Sequence, residues 1–292
     1  MKNIFFSTVF FYIIFINSLS VSAELVKNKI NEFSNETALA ISNFAKNNFE
    51  NMKYLEFDIQ IQEKLKPSFS IMSVTELLKI DSGTVFNQTS LNTHDNDETV
   101  NIGFGYRKLL NDNKILIGSN IFYDHQFDLD HKRTGAGLEA ISSIFDLRGN
   151  YYNALSGSKI TSDGSERALD GWDTQLDYHL PGEKDVNIFA NLFAFENPDS
   201  ASTYEEKGTK FGANASLGNF TIEGGYLNDN QNNDAFFGSV KFVVKLGDNG
   251  DKKKQNFLEY TDVSDKLYQP VKRENKIRVV KISKSGVTVG GF

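Results

Sequence analysis

The segment TVNIGFGYRKL, residues 99–109, decides how this chain folds. It interleaves a set of large apolar residues with a set of polar residues and glycines: Val100, Ile102, Phe104 and Tyr106, and Asn101, Gly103, Gly105 and Arg107. Successive side chains of a β-strand point to opposite faces, so the segment predicts a strand with one apolar and one polar face. Four more segments of this kind follow, at 115–124, 131–140, 145–154 and 171–180.

The polar faces of these five strands carry mainly charged and amide side chains. They include Arg107, Asn120, Asp124, Arg133, Glu139, Asp146, Arg148, Asn150, Asp173, Gln175, Asp177 and His179. A soluble sandwich and a membrane barrel both have strands with one apolar and one polar face. The alternation alone therefore leaves both architectures open.

Seven further segments with a period near two bring the total to twelve strands, an even number, as bacterial single-chain barrels have. One starts at Met52 and ends before the turn at Lys66-Pro67; the others lie at 68–78, 84–91, 186–195, 204–217, 220–227 and 234–246. We expect 242–246 to belong to the last barrel strand, and we expect the glycine-rich residues 283–292, which end in Phe292, to have no partner hairpin.

From the third strand onward, long and short connections alternate. The long ones are 92–98, 125–130, 155–170, 196–203 and 228–233, and the short ones are 110–114, 141–144, 181–185 and 218–219. Outer-membrane barrels have short periplasmic turns and longer outer loops, whereas a sandwich has no reason to sort its loops in this way. The sequence therefore predicts an all-β fold, a twelve-stranded antiparallel transmembrane β-barrel over residues 52–246.

Residues 1–23 have the three parts of a secretory signal peptide. Lys2 supplies the positive charge, residues 4–16 are mostly apolar, and Val21-Ser22-Ala23 is a cleavage site of small residues. An N-terminal membrane anchor is the less favoured alternative, because a spanning helix needs about 20 apolar residues. Residues 24–51 have apolar residues at spacings near three and four, which predicts a short periplasmic helical segment.

Composition excludes several classes of function. The chain has 31 basic and 38 acidic residues, a net charge of -7, so we expect no nucleic-acid partner. It has no cysteine, which excludes disulfides, thiolate nucleophiles and cysteine-based metal sites. After the signal peptide no run approaches the roughly 20 apolar residues of a spanning helix, so a membrane-spanning form has to be a closed barrel.

The charge changes sign after the barrel. Residues 251–284 contain ten basic and five acidic residues, a net charge of +5, and the rest of the chain carries -12. This complementarity predicts that a post-barrel helix and linker, residues 247–282, lie in or near the barrel lumen. A solvated periplasmic tail is the alternative.

Several runs resemble the β-domain of the intimin/invasin family, the inverse autotransporters. They are GFGYR at 103–107, GSNIFYD at 118–124, HKRTGAGLE at 131–139, NYYNALS at 150–156, GWD at 171–173 leading to LP at 180–181, and YQPVKRENKI at 268–277. The resemblance implies a barrel in the outer membrane of a Gram-negative bacterium, which anchors and exports a C-terminal passenger (type V secretion). Its implied partners are outer-membrane lipid and, during biogenesis, the barrel-assembly machinery and periplasmic chaperones.

The chain departs from that family after Ile282, where ten residues, 283–292, follow instead of an adhesive domain. We therefore expect a vestigial or missing passenger and no host-cell receptor as partner. A stand-alone structural or pore-forming barrel whose tail plugs the lumen is the alternative.

The outer loops contain His and acidic residues of the types that hydrolysis and metal binding require. His125 and His131 flank one loop with Asp124, Asp128 and Asp130, as in a barrel-rim hydrolase. Asp124 and His131 belong, however, to runs that resemble the non-enzymatic family. The acidic loops 94–98 and 228–234 lack the glycine and spacing of an EF-hand. We expect no enzyme, and no catalytic, cofactor-binding or metal-binding residues and no cofactor.

The remaining motifs have structural interpretations. Three arginines and three carboxylates, Arg107, Arg133, Arg148, Glu139, Asp124 and Asp146, predict ion pairs lining the interior. The glycine pairs Gly103/Gly105 and Gly135/Gly137 predict close packing of lumen side chains or bending of strands. Trp172 predicts an anchor at the membrane interface.

Overall fold

The computed structural model describes residues 36–45, 47–94, 97–182, 185–199, 202–246, 259–284 and 288–291. The predicted signal peptide and the start of the 24–51 segment lie outside these residues. Residues 36–45 and 47–48 are helical, in agreement with the predicted helical segment. Within the described parts of the chain, no helix is both long and apolar enough to cross a membrane.

Sixteen strands and a short 3-10 helix make up most of the described chain. The strands are β1 (Met52–Gln62), β2 (Ser68–Ile80), β3 (Gly83–His94), β4 (Asp97–Leu110), β5 (Ile115–Gln126), β6 (His131–Ser142), β7 (Phe145–Ala154), β8 (Lys159–Thr161), β9 (Gly164–Ala168), β10 (Asp170–His179), β11 (Asp185–Glu196), β12 (Glu205–Leu217), β13 (Phe220–Asp229), β14 (Ala235–Lys245), β15 (Val279–Ser283) and β16 (Thr288–Gly291). The 3-10 helix is Ser264–Lys266.

Twelve antiparallel strands, β1–β7 and β10–β14, close into a barrel. Neighbours in the chain are neighbours in the sheet, and β14 pairs with β1, with Phe57 opposite Phe242, to close the ring. All twelve predicted strands are present, and 242–246 does contribute to the last barrel strand. Seven of the twelve barrel strands run two to four residues longer than the alternation predicted.

The alternation of side chains separates the two surfaces of the wall as expected. Apolar side chains such as Phe104 and Leu138 point outward and are 50% and 70% exposed. Polar side chains such as Arg107, Asp124 and Arg133 point into the lumen and are fully buried. The outside of the barrel is therefore suited to lipid and the inside to charge pairing.

The two ends of the barrel differ in their connections. At one end, here the short-loop end, the connections are 81–82, 111–114, 143–144, 180–184 and 218–219. At the other end, the long-loop end, they include the two longest of the barrel, 155–169 and 197–204. Outer-membrane barrels place their long loops outside, so the long-loop end corresponds to the cell exterior.

The prediction of a long loop at 92–98 is wrong. β3 continues to His94 and β4 starts at Asp97, so that these two residues pair directly. The lumen-facing amides explain the extra length, because Asn92 Nδ2 donates to Asn101 Oδ1 at 2.7 Å across the two strands. Polar residues that resemble a loop in the sequence are the inner face of a strand here.

A second sheet lies at the long-loop end and corrects two further expectations. The predicted loop 155–170 contains the hairpin β8–β9, and the post-barrel strand β15 pairs with β9. β16 then pairs with β15, so residues 283–292 do form a partner hairpin, contrary to the prediction. The fourth strand is β8, and the order is β16-β15-β9-β8.

The lumen glycines make room for bulky side chains, as predicted. A methyl group on Gly105 would overlap with the ring of Phe86, and one on Gly103 would overlap with the ring of Phe122. Both rings are buried inside the barrel. Glycine is needed at these positions because a neighbouring strand fills the space that a side chain would occupy.

Replacement of Gly105 by alanine is expected to destabilise the barrel, since overpacking a core costs roughly 1–3 kcal/mol. The temperature at which the unboiled protein loses its fast migration on an SDS gel measures this effect. Gly149→Ala is the matched control, because its added methyl group meets no atom within 4 Å. Equal midpoints for the two variants would contradict the packing role of Gly105.

Candidate functional site in the barrel lumen

Ion pairs between side chains of the barrel wall line the lumen. Arg107 Nε lies 2.6 Å from Glu139 Oε1, and Arg133 Nε lies 2.8 Å from Asp124 Oδ2. Arg148 contacts Asp146 at 3.0 Å, and a further carboxylate, that of Asp177, at 2.7 Å. These contacts confirm the predicted interior lining, and they leave the three arginine side chains almost inaccessible to solvent.

The post-barrel segment, residues 259–284 (here called the tail), runs through this lumen. Near its start, Val263 N–H donates to the carbonyl of Asn113, in a connection at the short-loop end, at 2.8 Å. At its far end, β15 pairs with β9 at the long-loop end. The tail therefore passes along the barrel axis from the short-loop end to the long-loop end, and the predicted luminal location is confirmed for residues 259–282.

The tail has one turn of 3-10 helix, Ser264–Lys266, as its helical element, followed by a turn at 267–268 and bends at 269, 273 and 276. The sequence had predicted a helix followed by a linker in 247–282. Residues 247–258 lie outside the described residues. Between the 3-10 helix and β15 the segment has no regular secondary structure.

Apolar residues of the tail complete the barrel interior. Val263 packs with Leu109, Leu116 and Ile141 near the short-loop end. Farther along the axis Val271 joins a cluster that includes Phe86 and Phe122, and Val280 joins one that includes Tyr152 and Phe195. Among the described residues, each buried apolar cluster of the barrel interior therefore includes a residue of the tail.

Charged tail residues pair with carboxylates of the wall. Arg273 places Nη1 and Nη2 at 2.8 and 2.7 Å from the two oxygens of Asp124, a bidentate contact. Since Arg133 also contacts Asp124, this one carboxylate lies between two guanidinium groups. Lys272 Nζ contacts Asp177 at 2.7 Å.

Nearer the exit, Arg278 of the tail contacts Glu206 of the wall. In one further pair the tail supplies the negative charge, because the carboxylate of Glu274 lies 3.5 Å from Nζ of the wall residue Lys210. The basic tail is therefore matched to wall carboxylates at several levels of the lumen.

The tail does not fill the lumen. A cavity of about 410 Å³ remains beside it. Its lining includes Gln60, Asn191, Asn214 and Glu223, which come from β1 and from β11–β13. The tail is consequently packed closely on one side of the barrel and borders open space on the other.

Glu166 on β9 ties the outer sheet to the barrel and to the tail. Its carboxylate lies 3.2 Å from His131 Nε2 at the start of β6 and 3.3 Å from Lys281 Nζ on β15. Burial raises the pKa of Glu166, but the hydrogen bond with His131 and the charge of Lys281 outweigh it, so the pKa lies below its ordinary value. The ionised carboxylate thus holds both the barrel rim and the exiting strand.

The residues considered for hydrolysis are not assembled. Asp124 is engaged by arginines inside the lumen, whereas His131 contacts Glu166 and Ser156 at the rim. His125 pairs with the exposed Asp130 at 2.8 Å. In the described residues, no group of three or more His, Cys, Asp or Glu side chains is placed to bind a metal ion.

The acidic loop 228–234 is organised by its own backbone. Asp229 accepts N–H bonds from Gln231 and Asn233 at 2.8 and 2.9 Å, and Asp234 accepts one from Asp229 at 3.2 Å. The carboxylates therefore stabilise the turn. Trp172 points outward, two residues from the long-loop end of β10, and is 45% exposed, a position that fits the predicted interface anchor.

The partners of the tail were missed by sequence reasoning. The wall residue Glu206 and the tail residues Arg273, Glu274 and Arg278 were not singled out individually. The net positive charge of residues 251–284 was the available signal. It indicates the sign of the partner surface, but it does not assign a partner to each side chain.

Asp124→Asn is expected to destabilise the filled barrel by about 3–5 kcal/mol, because it leaves Arg133 and Arg273 without their shared counter-charge. The urea midpoint of unfolding measures the loss. Asp130→Asn, at an exposed carboxylate with surface ion pairs, is the matched control and should change stability by less than about 1 kcal/mol. A shift no larger than that of the control would refute the central role of Asp124.

Glu166→Gln is expected to reduce the hydrogen-exchange protection of the β15 amides. Glu205→Gln, which removes the exposed ion pair with Lys207, is the control.

The same contact predicts a pH dependence. Because the pKa of Glu166 is lowered in the folded protein, its contribution to stability is complete above the ordinary glutamate pKa of about 4.3 and is lost as the pH falls through the lowered pKa. Protection in the unmodified chain, corrected for intrinsic exchange, should fall in that acid range. Equal protection in both variants would contradict the role of Glu166.

Comparisons with curated proteins find matches over about a third of this chain. The chain is 30% identical over 100 residues to the inverse autotransporter adhesin YeeJ of Escherichia coli K12, a match that covers 33% of this chain and 4% of YeeJ. It is 33% identical over 99 residues to intimin of Escherichia coli O111:H-, covering 33% of this chain and 10% of intimin. The matched part is a small fraction of either relative.

Solved structures share the barrel architecture. A chain from the structure described as "Unveiling the Mechanism Behind the in-meso Crystallization of Membrane Proteins" has a TM-score of 0.65 at 20% identity, covering 77% of this chain and 98% of that one. The COG4313 outer membrane channel of Pseudomonas putida F1 has a TM-score of 0.51 at 10% identity, covering 66% and 95%. At these identities the likeness concerns the fold.

The family model for the inverse autotransporter β-domain matches residues 16–275, which include the whole barrel and most of the luminal tail. This match agrees with the closed twelve-stranded barrel and with its location in the Gram-negative outer membrane. The chain belongs to the inverse autotransporter β-domain family.

Proposed function

We propose that this chain is an outer-membrane anchor and translocator, which carries its own C-terminal segment through the barrel lumen to the cell surface. The observation that carries the proposal is the path of the tail. It starts beside Asn113 at the short-loop end and ends in β15, paired with β9 at the long-loop end. With the long loops outside, the C-terminal segment is delivered to the exterior.

The barrel wall supports the anchoring half of this function. Its outward side chains are apolar, and Trp172 near the long-loop end has the exposure of an interface residue. We propose outer-membrane lipid as the permanent partner, and the barrel-assembly machinery and periplasmic chaperones as partners during biogenesis. The proposal assigns no catalytic role to the chain.

A second candidate is a structural or pore-forming barrel in which the tail is a permanent plug. The observation in its favour is the packing of the tail, because Val263, Val271 and Val280 each belong to an apolar cluster of the interior. The two functions differ in what they require of the C-terminus. A translocator requires the C-terminus on the cell surface, whereas a plug can act with its C-terminus in the lumen or the periplasm as well.

An epitope tag placed after Phe292 tests the first function. We expect antibody to label intact cells, because β15 and β16 lie at the long-loop end. A second tag, inserted after Gly182 in a connection of the short-loop end, is the control and should become accessible after permeabilisation. Labelling of the C-terminal tag only after permeabilisation would overturn the translocator function in favour of the plugged barrel.

A further inference from the structure

The main chain of the tail is bound by side chains of one part of the wall. Arg107 on β4 donates to the carbonyl of Leu267 at 2.9 Å and to that of Gln269. Gln88 on β3 both accepts from Val271 N–H at 2.7 Å and donates to its carbonyl at 3.3 Å. A glutamine amide can make this double contact because it has both a donor and an acceptor.

The same pattern continues toward the exit. Four further contacts of strand side chains with the tail main chain are Asn150 to Lys272 O at 3.1 Å, Arg133 to Glu274 O at 2.6 Å, Tyr152 Oη with Glu274 N at 2.7 Å, and Asn101 to Asn275 O at 2.9 Å. These six wall residues lie on β3, β4, β6 and β7, which are close neighbours in the barrel. They form a stripe, here called the track, along the path of the tail.

Main-chain groups are the part of a polypeptide that does not depend on its sequence. Every residue carries a carbonyl, and every residue except proline carries an N–H group. In β-strand addition, main-chain hydrogen bonds give affinity for any strand, and side-chain pockets give specificity. A wall that binds mainly carbonyls can hold an extended chain of nearly any sequence in the same way.

The shape of the lumen agrees with such a role. A side chain on Gly135 would come within 3.0 Å of Arg273, so this glycine keeps the wall open where the tail lies. On the opposite side, the cavity of about 410 Å³ leaves space beside the tail for side chains that differ in size from those present. The tail is therefore bound along its main chain and borders open space on part of its other side, between contacts such as that of Glu274 with Lys210 on β12.

A different set of contacts depends on sequence. Lys272 binds Asp177, Arg273 binds Asp124, and Arg278 binds Glu206. We call these three tail residues the locks. Their ion pairs identify one position of the chain along the lumen, whereas carbonyls recur at every residue.

We propose that the track is a binding site for extended polypeptide of nearly any sequence, and that the locks select the final register of the tail. The inference rests on the proposed translocator function and deepens it. It assigns binding of the moving tail to the track and the stopping of the tail at its final position to the locks. The bound carbonyls, at 267, 269, 271, 272, 274 and 275, belong to residues of different types, and every residue carries a carbonyl, so a displaced tail still offers acceptors to the track.

Cysteine cross-linking can measure the register, since the chain has no cysteine of its own. Gln88→Cys is combined with a single cysteine in place of Gln269, Val271 or Arg273, in the full chain in outer membranes, and treated with a short bifunctional thiol reagent. Leu91→Cys, on the outward face of β3, replaces Gln88→Cys in the control and should give no cross-link with the tail.

With the locks intact, we expect the cross-link at position 271 to predominate over that at 269. In the lock-free chain, Lys272, Arg273 and Arg278 are changed to serine; where the probe cysteine is at position 273, it takes the place of that serine. We then expect comparable cross-linking yields at positions 269, 271 and 273. A cross-link confined to 271 in the lock-free chain would overturn the assignment of register to the locks. Loss of all three cross-links would overturn the track, because the tail would then be held by its side chains.

Two measurements separate this proposal from the translocator function and from misfolding. Fast migration of the unboiled protein on an SDS gel reports a closed barrel in every variant. The C-terminal tag reports export independently, because cross-linking occurs in the lumen whether or not the terminus is outside. An inaccessible tag with spread cross-links would overturn the translocator function alone.

Discussion

The whole structure depends on pairing the charges that strand alternation places inside the barrel. A wall with an apolar outside must direct its polar side chains inward, where Arg107, Asp124 and Arg133 are fully buried. An unpaired buried charge is strongly destabilising, so each needs a partner at hydrogen-bonding distance. Neighbouring strands supply some partners, and the tail supplies others, such as Arg273 for Asp124. The tail thus supplies counter-charges that the buried side chains of the barrel wall require.

The sequence predicted the barrel well because one physical rule, side chains alternating across a wall between lipid and lumen, acts on every strand. The same rule explains the error at 92–98. Asn92 and His94 resemble loop residues until their lumen-facing position is known. A polar residue in a barrel strand carries the same local signal as one in a loop, and only the pairing of His94 with Asp97 separates the two.

The hairpin β8–β9 and the tail contacts were less accessible to prediction, because they depend on residues far apart in the chain. Residues 159–168 are polar and contain Gly164, which indicates a loop when considered alone. Their strand conformation is completed by β15, more than a hundred residues later. Similarly, the positive net charge of residues 251–284 predicted that the tail lies in the lumen. A net charge does not determine which tail residue pairs with which wall residue, or in which direction the tail runs. The match of Lys272 with Asp177 therefore required the structure.

The location of the apolar clusters relates folding to transit. Val263, Val271 and Val280 lie at successive levels of the lumen, and each packs with residues of several barrel strands. A barrel without its tail would retain the main-chain ladder of the wall but lose part of each cluster and several counter-charges. Insertion of the tail therefore stabilises the barrel, and the stabilisation is complete when β15 reaches β9. In the proposed translocator, contacts formed at the exit would add to those already made along the lumen and so would favour the fully inserted position of the tail.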